Sequence, residues 1–151
     1  MPHEDFMRQA VSLARENIAT GGRPFGALLV RDGLVIARAV NLMHLDHDPT
    51  AHAELRAIRA AGQALGSVRL DGCVLYASGQ PCPMCLAAMH LSGIREAWFA
   101  YGNDDGEPFG LSTAAIYAQM RQPLAEQAVR LRALRPQGET GLYGEWHEAA
   151  Q

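Results

Sequence analysis

The chain has 151 residues, 48% of them apolar and 19% charged, with a formal net charge of −3. That is the profile of one globular domain over residues 1–151, able to bury roughly two thirds of its unfolded surface. No apolar run approaches the roughly 18 residues that cross a bilayer, the acidic, amphipathic N-terminus does not read as an export signal, and the 13 basic residues, all arginine, are too scattered to favour nucleic acid as a partner.

In chain order, Phe6, Met7, Ala10, Val11, Leu13, Ala14 and Ile18 form a helical stripe, closed by Gly21-Gly22. FGALLV, the Asp32-Gly33 turn and LVIARAV read as a β-hairpin. Asp48-Pro49 supplies an acid cap and a proline at the first helical position, predicting a second helix to about Leu65 that carries His52 and Glu54. CVLYAS (73–78), almost wholly apolar, suits a central strand with both faces covered. Cys82-Pro83 opens a third helix, and REAWFAYG contains a fourth strand.

LSTAAIYAQM predicts a fourth helix. AVRLRAL (128–134) alternates apolar and basic, which predicts a fifth strand with arginines on its wet face. Residues 136–151 form a glycine- and aromatic-rich tail without an assigned structure. A hairpin followed by alternating helix and strand argues for an α/β sandwich around a mixed, five-stranded sheet.

The chemistry concentrates in HAE (52–54) and PCPMC (81–85). His52, Cys82 and Cys85 supply one nitrogen and two sulfur donors, a set that suits Zn²⁺, one ion per chain. Three protein ligands leave the fourth tetrahedral position open to water, as in catalytic zinc sites. Helix N-termini at both motifs would help hold the thiolates. Positions i and i+2 of a helix do not share a face, so Glu54 is better placed to approach the water from the side than to bind the ion beside His52. It is the candidate proton carrier.

Other readings are less specific. A lone C-x-x-C could be a redox pair or half of a structural zinc knot, but no second C-x-x-C exists. Cys73 reads as a buried thiol. Asn41 suits a turn as well as a ligand contact, and Phe25 suits the core. His44 and His47 read as surface-loop histidines rather than a second metal site.

H-x-E followed by P-C-x-x-C is the pattern of zinc nucleobase deaminases. With PFGALLV, Asn41, DPTAHAE (48–54) and PCPMC (81–85), the chain resembles the cytidine deaminase superfamily, in its branch of bacterial guanine deaminases and tRNA adenosine deaminases. The resemblance implies a three-layer α/β/α sandwich, a homodimer, zinc on His52, Cys82 and Cys85, and Glu54 as proton shuttle. It also implies that Asn41, Phe25 and Ala53 contact a small heterocyclic base. PFGA and AIYAQMRQP (115–123) resemble the guanine deaminases, where the C-terminal tail can cover a neighbouring subunit's site. Two departures from that branch stand out: Ser112-Thr113 replaces acidic residues that handle guanine, and Gln80 stands before the motif proline where glutamate is common. Asp104 or Asp105 would be the acids available to compensate. The expected activity is hydrolytic deamination of a base, guanine to xanthine and ammonia first, with tRNA adenosine, another small base, or an inactive zinc-stabilised binding module as alternatives. A cytoplasmic location is expected.

Overall fold

The first apolar stripe becomes α1, Pro2–Ala19, in the computed structural model, which describes residues 2–151. Glu4 and Asp5 in its first turn complement the positive end of the helix dipole. The hairpin follows as β1 (Gly26–Arg31) and β2 (Leu34–Val40). Asp32 and Gly33 both take positive φ, 51° and 77°, as a tight two-residue hairpin turn requires. A bulge between Leu29 and Val30 shifts the register.

β3 (Cys73–Gly79) pairs antiparallel with β1, and β4 (Glu96–Tyr101) pairs parallel with β3. The sheet is mixed, in the order β2-β1-β3-β4. β1 and β3 lie in the middle and are apolar on both faces. Leu28, Val30 and Tyr76 point to α1 and meet Ala10. Leu29, Leu75 and Ala77 point the other way, against Ala61 and Met89. Those last two belong to α3 (Ala53–Leu65) and α4 (Pro83–Ser92), so helices cover both faces.

The sheet has four strands, not the five expected: residues 128–134 form no strand. Alternation gives a segment two faces, but a strand exists only where its backbone finds a ladder, and none forms on AVRLRAL within the chain. β4 is consequently an edge, with Trp98, Phe99 and Tyr101 exposed. The Asp48-Pro49 helix start is also corrected. Asp48 Oδ1 accepts the Thr50 N–H and hydroxyl at 2.8 and 2.7 Å, a local turn, and the helix begins only at Ala53. The stretch before it contains a single helical turn, α2 (Met43–Asp46).

Beyond β4 lie α5 (Asn103–Gly106) and α6 (Ala114–Met120), close to the predicted fourth helix. The chain divides into one unit ending at Ala118 and a second, Gln119–Gln151. The second unit contains α7, Leu142–Ala149, in the tail the sequence left unassigned. Its Leu142, Tyr143 and Trp146 are exposed.

Candidate zinc site and catalytic pocket

Because β1 runs antiparallel to both its neighbours, β2, β3 and β4 all point the same way. α3 and α4 therefore start at the carboxyl end of the strands, where open α/β sheets build sites. His52 and Cys82 are the residues that precede these two helices, both in extended backbone, with Pro83 opening α4 as expected. A residue in that position ordinarily turns its side chain back onto the helix's first N–H groups. Neither does so here; both side chains are turned to each other.

His52 Nδ1 lies 3.4 Å from Cys82 Sγ and 3.7 Å from Cys85 Sγ. A tetrahedral zinc with bonds of about 2.0–2.1 Å to nitrogen and 2.3 Å to sulfur holds such atoms about 3.6 Å apart. The three donors thus already fit the ion. Among the described residues this is the one cluster of metal-ligating side chains with converging donor atoms. The hydrogen bond from Cys85, with His52 alongside, pulls the Cys82 thiol down to about 4, while Cys85 is pushed up by its bond to Cys82 and by burial. His52 is raised, chiefly by its hydrogen bond with Cys82. A divalent cation would resolve this competition by deprotonating both sulfurs.

Glu54, in the first turn of α3, is buried, and its carboxyl is pushed up to about 7 by desolvation. It lines one cavity with His52 and Cys82. A carboxyl poised near neutrality beside a metal site can both take and return a proton.

The rest of that cavity comes from loops. Phe25 and Asn41, both expected, line it, as do Arg23, Met43, Gln80, Leu111 and Thr113. Phe25 packs against Gly79, where any Cβ would come within 2.8 Å of the ring. Asn41 closes a local turn: Oδ1 accepts the Met43 N–H at 3.0 Å, and Nδ2 faces the Met43 sulfur at 3.3 Å. Ala53, also expected, is fully buried against Ala27, Ala39 and Phe25 and does not line the cavity.

Gln80 and Thr113 are joined through Asn103. Gln80 Oε1 accepts the Asn103 N–H at 2.9 Å, and Asn103 Oδ1 accepts the Thr113 N–H at 3.0 Å. The Tyr117 hydroxyl donates to the Pro81 carbonyl, tying α6 to the cysteine motif. Asp104 and Asp105 do not line the cavity; Asp105 instead accepts the Gly102 N–H at 2.8 Å, closing the start of α5. Glu54 is therefore the only carboxylate in that wall among the described residues. Arg23, Met43 and Leu111 were missed from sequence. Arg23 had one available signal, its place beside PFGA; the other two are ordinary apolar residues brought in by folding.

His44 departs from expectation. Instead of lying on a surface loop, both its ring nitrogens are buried without a partner among the described residues, while His47 is exposed.

The family model "Cytidine and deoxycytidylate deaminase zinc-binding region" matches residues 1–101. The chain is 42% identical over 130 residues to guanine deaminase of Bacillus subtilis, covering 85% of this chain and 83% of that one. Against the X-ray structure of that organism's guanine deaminase it gives a TM-score of 0.90 at 37% identity, over 98% of this chain and 95% of that chain. It is 42% identical over 96 residues to the tRNA-specific adenosine deaminase of the same species, covering 64% and 60% of the two chains. The motifs, the zinc-ready donor set and these likenesses agree: the chain belongs to the cytidine and deoxycytidylate deaminase family of zinc-dependent hydrolytic deaminases.

Proposed function

We propose that this protein removes the exocyclic amine of a small heterocyclic base, with guanine as its first substrate. The observation that carries the reading is Glu54, a buried carboxyl that lines one cavity with His52 and Cys82, two of the three residues whose donor atoms converge. His52, Cys82 and Cys85 would hold the ion, which when bound lowers the pKa of water from 15.7 to about 7. Glu54 takes a proton from the attacking water and delivers it to the ring nitrogen beside the amino-bearing carbon. It then passes the second proton to the departing amine. Water adds, the C–N bond breaks, ammonia leaves, and an oxo group replaces the amine. Phe25 supplies an apolar wall, and Asn41 Nδ2 is free to exchange its weak sulfur contact for a ring acceptor.

Guanine is favoured by the extent of the likeness to a guanine deaminase, which runs through both units of the chain. The absence of lysine and the net charge of −3 give little to attract tRNA. The likeness to tRNA-specific adenosine deaminases keeps that substrate as the second reading. Thr113 in place of an acid leaves proton handling to Glu54 alone. An ammonia-release screen of the zinc-loaded protein over free bases, nucleosides and tRNA tests the proposal. Turnover of guanine supports it; turnover of tRNA alone, or of nothing, overturns it.

A homodimer fits the same reading. The free edge of β4, with its three exposed aromatics, and the unpaired alternating segment 128–134 are complementary features of two copies. The aromatic tail would then cover a neighbour's cavity. Sedimentation at micromolar concentration checks this, and a monomer there would remove it. Among the described residues, no helix is long and apolar enough to cross a membrane. Free Cys73, Cys82 and Cys85 suit a reducing compartment such as the cytoplasm.

A further inference from the structure

We propose that Asn17, which lies outside the catalytic cavity, is the positioning residue that sets its substrate-facing wall by clamping together the two loops that carry Phe25 and Asn41. This rests on the reading above, in which those two side chains hold the base.

The pairing of β1 with β2 ends at Gly26 and Val40. The Val40 carbonyl is held from the far side by Arg56 at 2.8 Å, so the strand end is secured by α3. Phe25 and Asn41 lie one step beyond, where a hairpin's chains ordinarily separate. They stay together: the Asn41 N–H donates to the Phe25 carbonyl at 3.1 Å, and the Phe25 N–H donates to the Arg23 carbonyl at 2.8 Å. Asn17 closes this chain of bonds from α1. Its Nδ2 donates to the Arg23 carbonyl at 2.8 Å and to the Asn41 carbonyl at 2.9 Å. One nitrogen with two N–H bonds thereby spans both loops.

The residue type follows from that task. Asparagine is a poor choice for a helix interior, and here it is 4% exposed in the last turns of α1. Aspartate would set an oxygen against two carbonyl oxygens, and leucine would fill the space but leave both carbonyls without this donor. Gly22 is the second half of the device. A Cβ there would lie 2.4 Å from Asn17 Nδ2 and 2.7 Å from the His44 ring, so only glycine lets the amide reach its carbonyls. Asn17 also anchors the turn between helix and loop, its own carbonyl accepting the Gly22 N–H at 2.8 Å.

Three variants of the full zinc-loaded chain test the clamp: Asn17→Leu, Gly22→Ala and the double variant. Kinetics on the base that the wild type turns over should show KM raised roughly tenfold or more, the loss of about 1.4 kcal/mol of base binding. Zinc content should stay at wild-type level and kcat should fall no more than about threefold. Gly22→Ala should reproduce this with Asn17 intact, and the double variant should be no worse than Asn17→Leu. Adding Asn17→Leu to Asn41→Ala should cost less than it does alone. An unchanged KM, or kcat and melting temperature falling together at constant KM, overturns the proposal.

Hydrogen exchange reads the clamp without substrate. Amides in 23–26 and 40–43 should exchange faster in Asn17→Leu and Gly22→Ala, while 82–89 keeps its protection. Uniform loosening overturns the clamp. Should the wild type turn over no base, the functional reading fails, and this exchange pattern alone decides the clamp. Should Asn17→Leu not fold, Gly22→Ala carries the same measurements.

Discussion

The two halves of the catalytic cavity are built by different means. The metal half stands on two helix starts: His52 and Cys82 precede α3 and α4, and Glu54 and Cys85 lie within the first turns of α3 and α4 in that order. Backbone geometry that repeats in any helix fixes those donors. The half proposed to hold substrate is assembled from chain ends and loops, with Phe25 before β1, Asn41 after β2, and Leu111 and Thr113 beyond α5. It is held by side-chain bonds that cross the fold, Asn17 to Arg23 and Asn41, and Gln80 through Asn103 to Thr113.

Substitutions in the two halves should therefore fail differently. The largest effect is expected for Cys85→Ala, which removes one of three zinc donors; bound metal by atomic absorption and ammonia release should both collapse. Normal metal content would mean that another side chain binds the ion. Glu54→Gln comes next. Proton transfer by a positioned group is worth about 10²–10⁴ in rate, so kcat should drop by that factor with zinc retained. Equal losses of metal and turnover in this variant would erase the distinction between proton carrier and ligand.

Asn41→Ala belongs to the other half. It should raise KM about three- to tenfold, the value of one neutral hydrogen bond, and leave zinc and kcat close to wild type. A fall in metal content there would show the halves are not separable.

The smallest effect is expected at Asp48, on the loop into α3. Hydrogen bonds from the Thr50 hydroxyl and N–H hold its carboxyl below the ordinary 3.8. A depressed carboxylate stabilises the fold above its ordinary value and loses that contribution as pH falls through the lowered one. The difference in melting temperature between wild type and Asp48→Ala should be slight at pH 7 and vanish in stronger acid. A difference that instead grows on acidification would contradict the turn's role.

The same division explains what could be read in advance. The convergence of His52, Cys82 and Cys85, with Glu54 nearby, is legible because it depends on spacing within a few residues of a helix start. The hairpin, the covered strand β3 and the helix after Cys82 are legible for the same local reason. AVRLRAL looked like a strand because alternation is local, whereas the ladder that would make it one is not. Asp48-Pro49 carried the chemistry of a helix start, yet the Asp48 side chain closed a turn with Thr50 first. Nothing in the last turns of α1 distinguishes Asn17 from any surface asparagine, since its two acceptors lie in other segments. Glu54 could be assigned as an acid from its offset to His52, but its displacement toward neutrality needed the burial that only folding supplies.

The helices α3 and α4 begin without the side-chain bonds that usually close a helix start; the side chains of His52 and Cys82 face each other instead. Zinc bound by these residues would be both a reagent and a fastener for α3 and α4, its binding free energy becoming free energy of folding. Zinc scarcity in the cell would shorten the lifetime of the polypeptide as well as idle the enzyme, so abundance and activity should decline together.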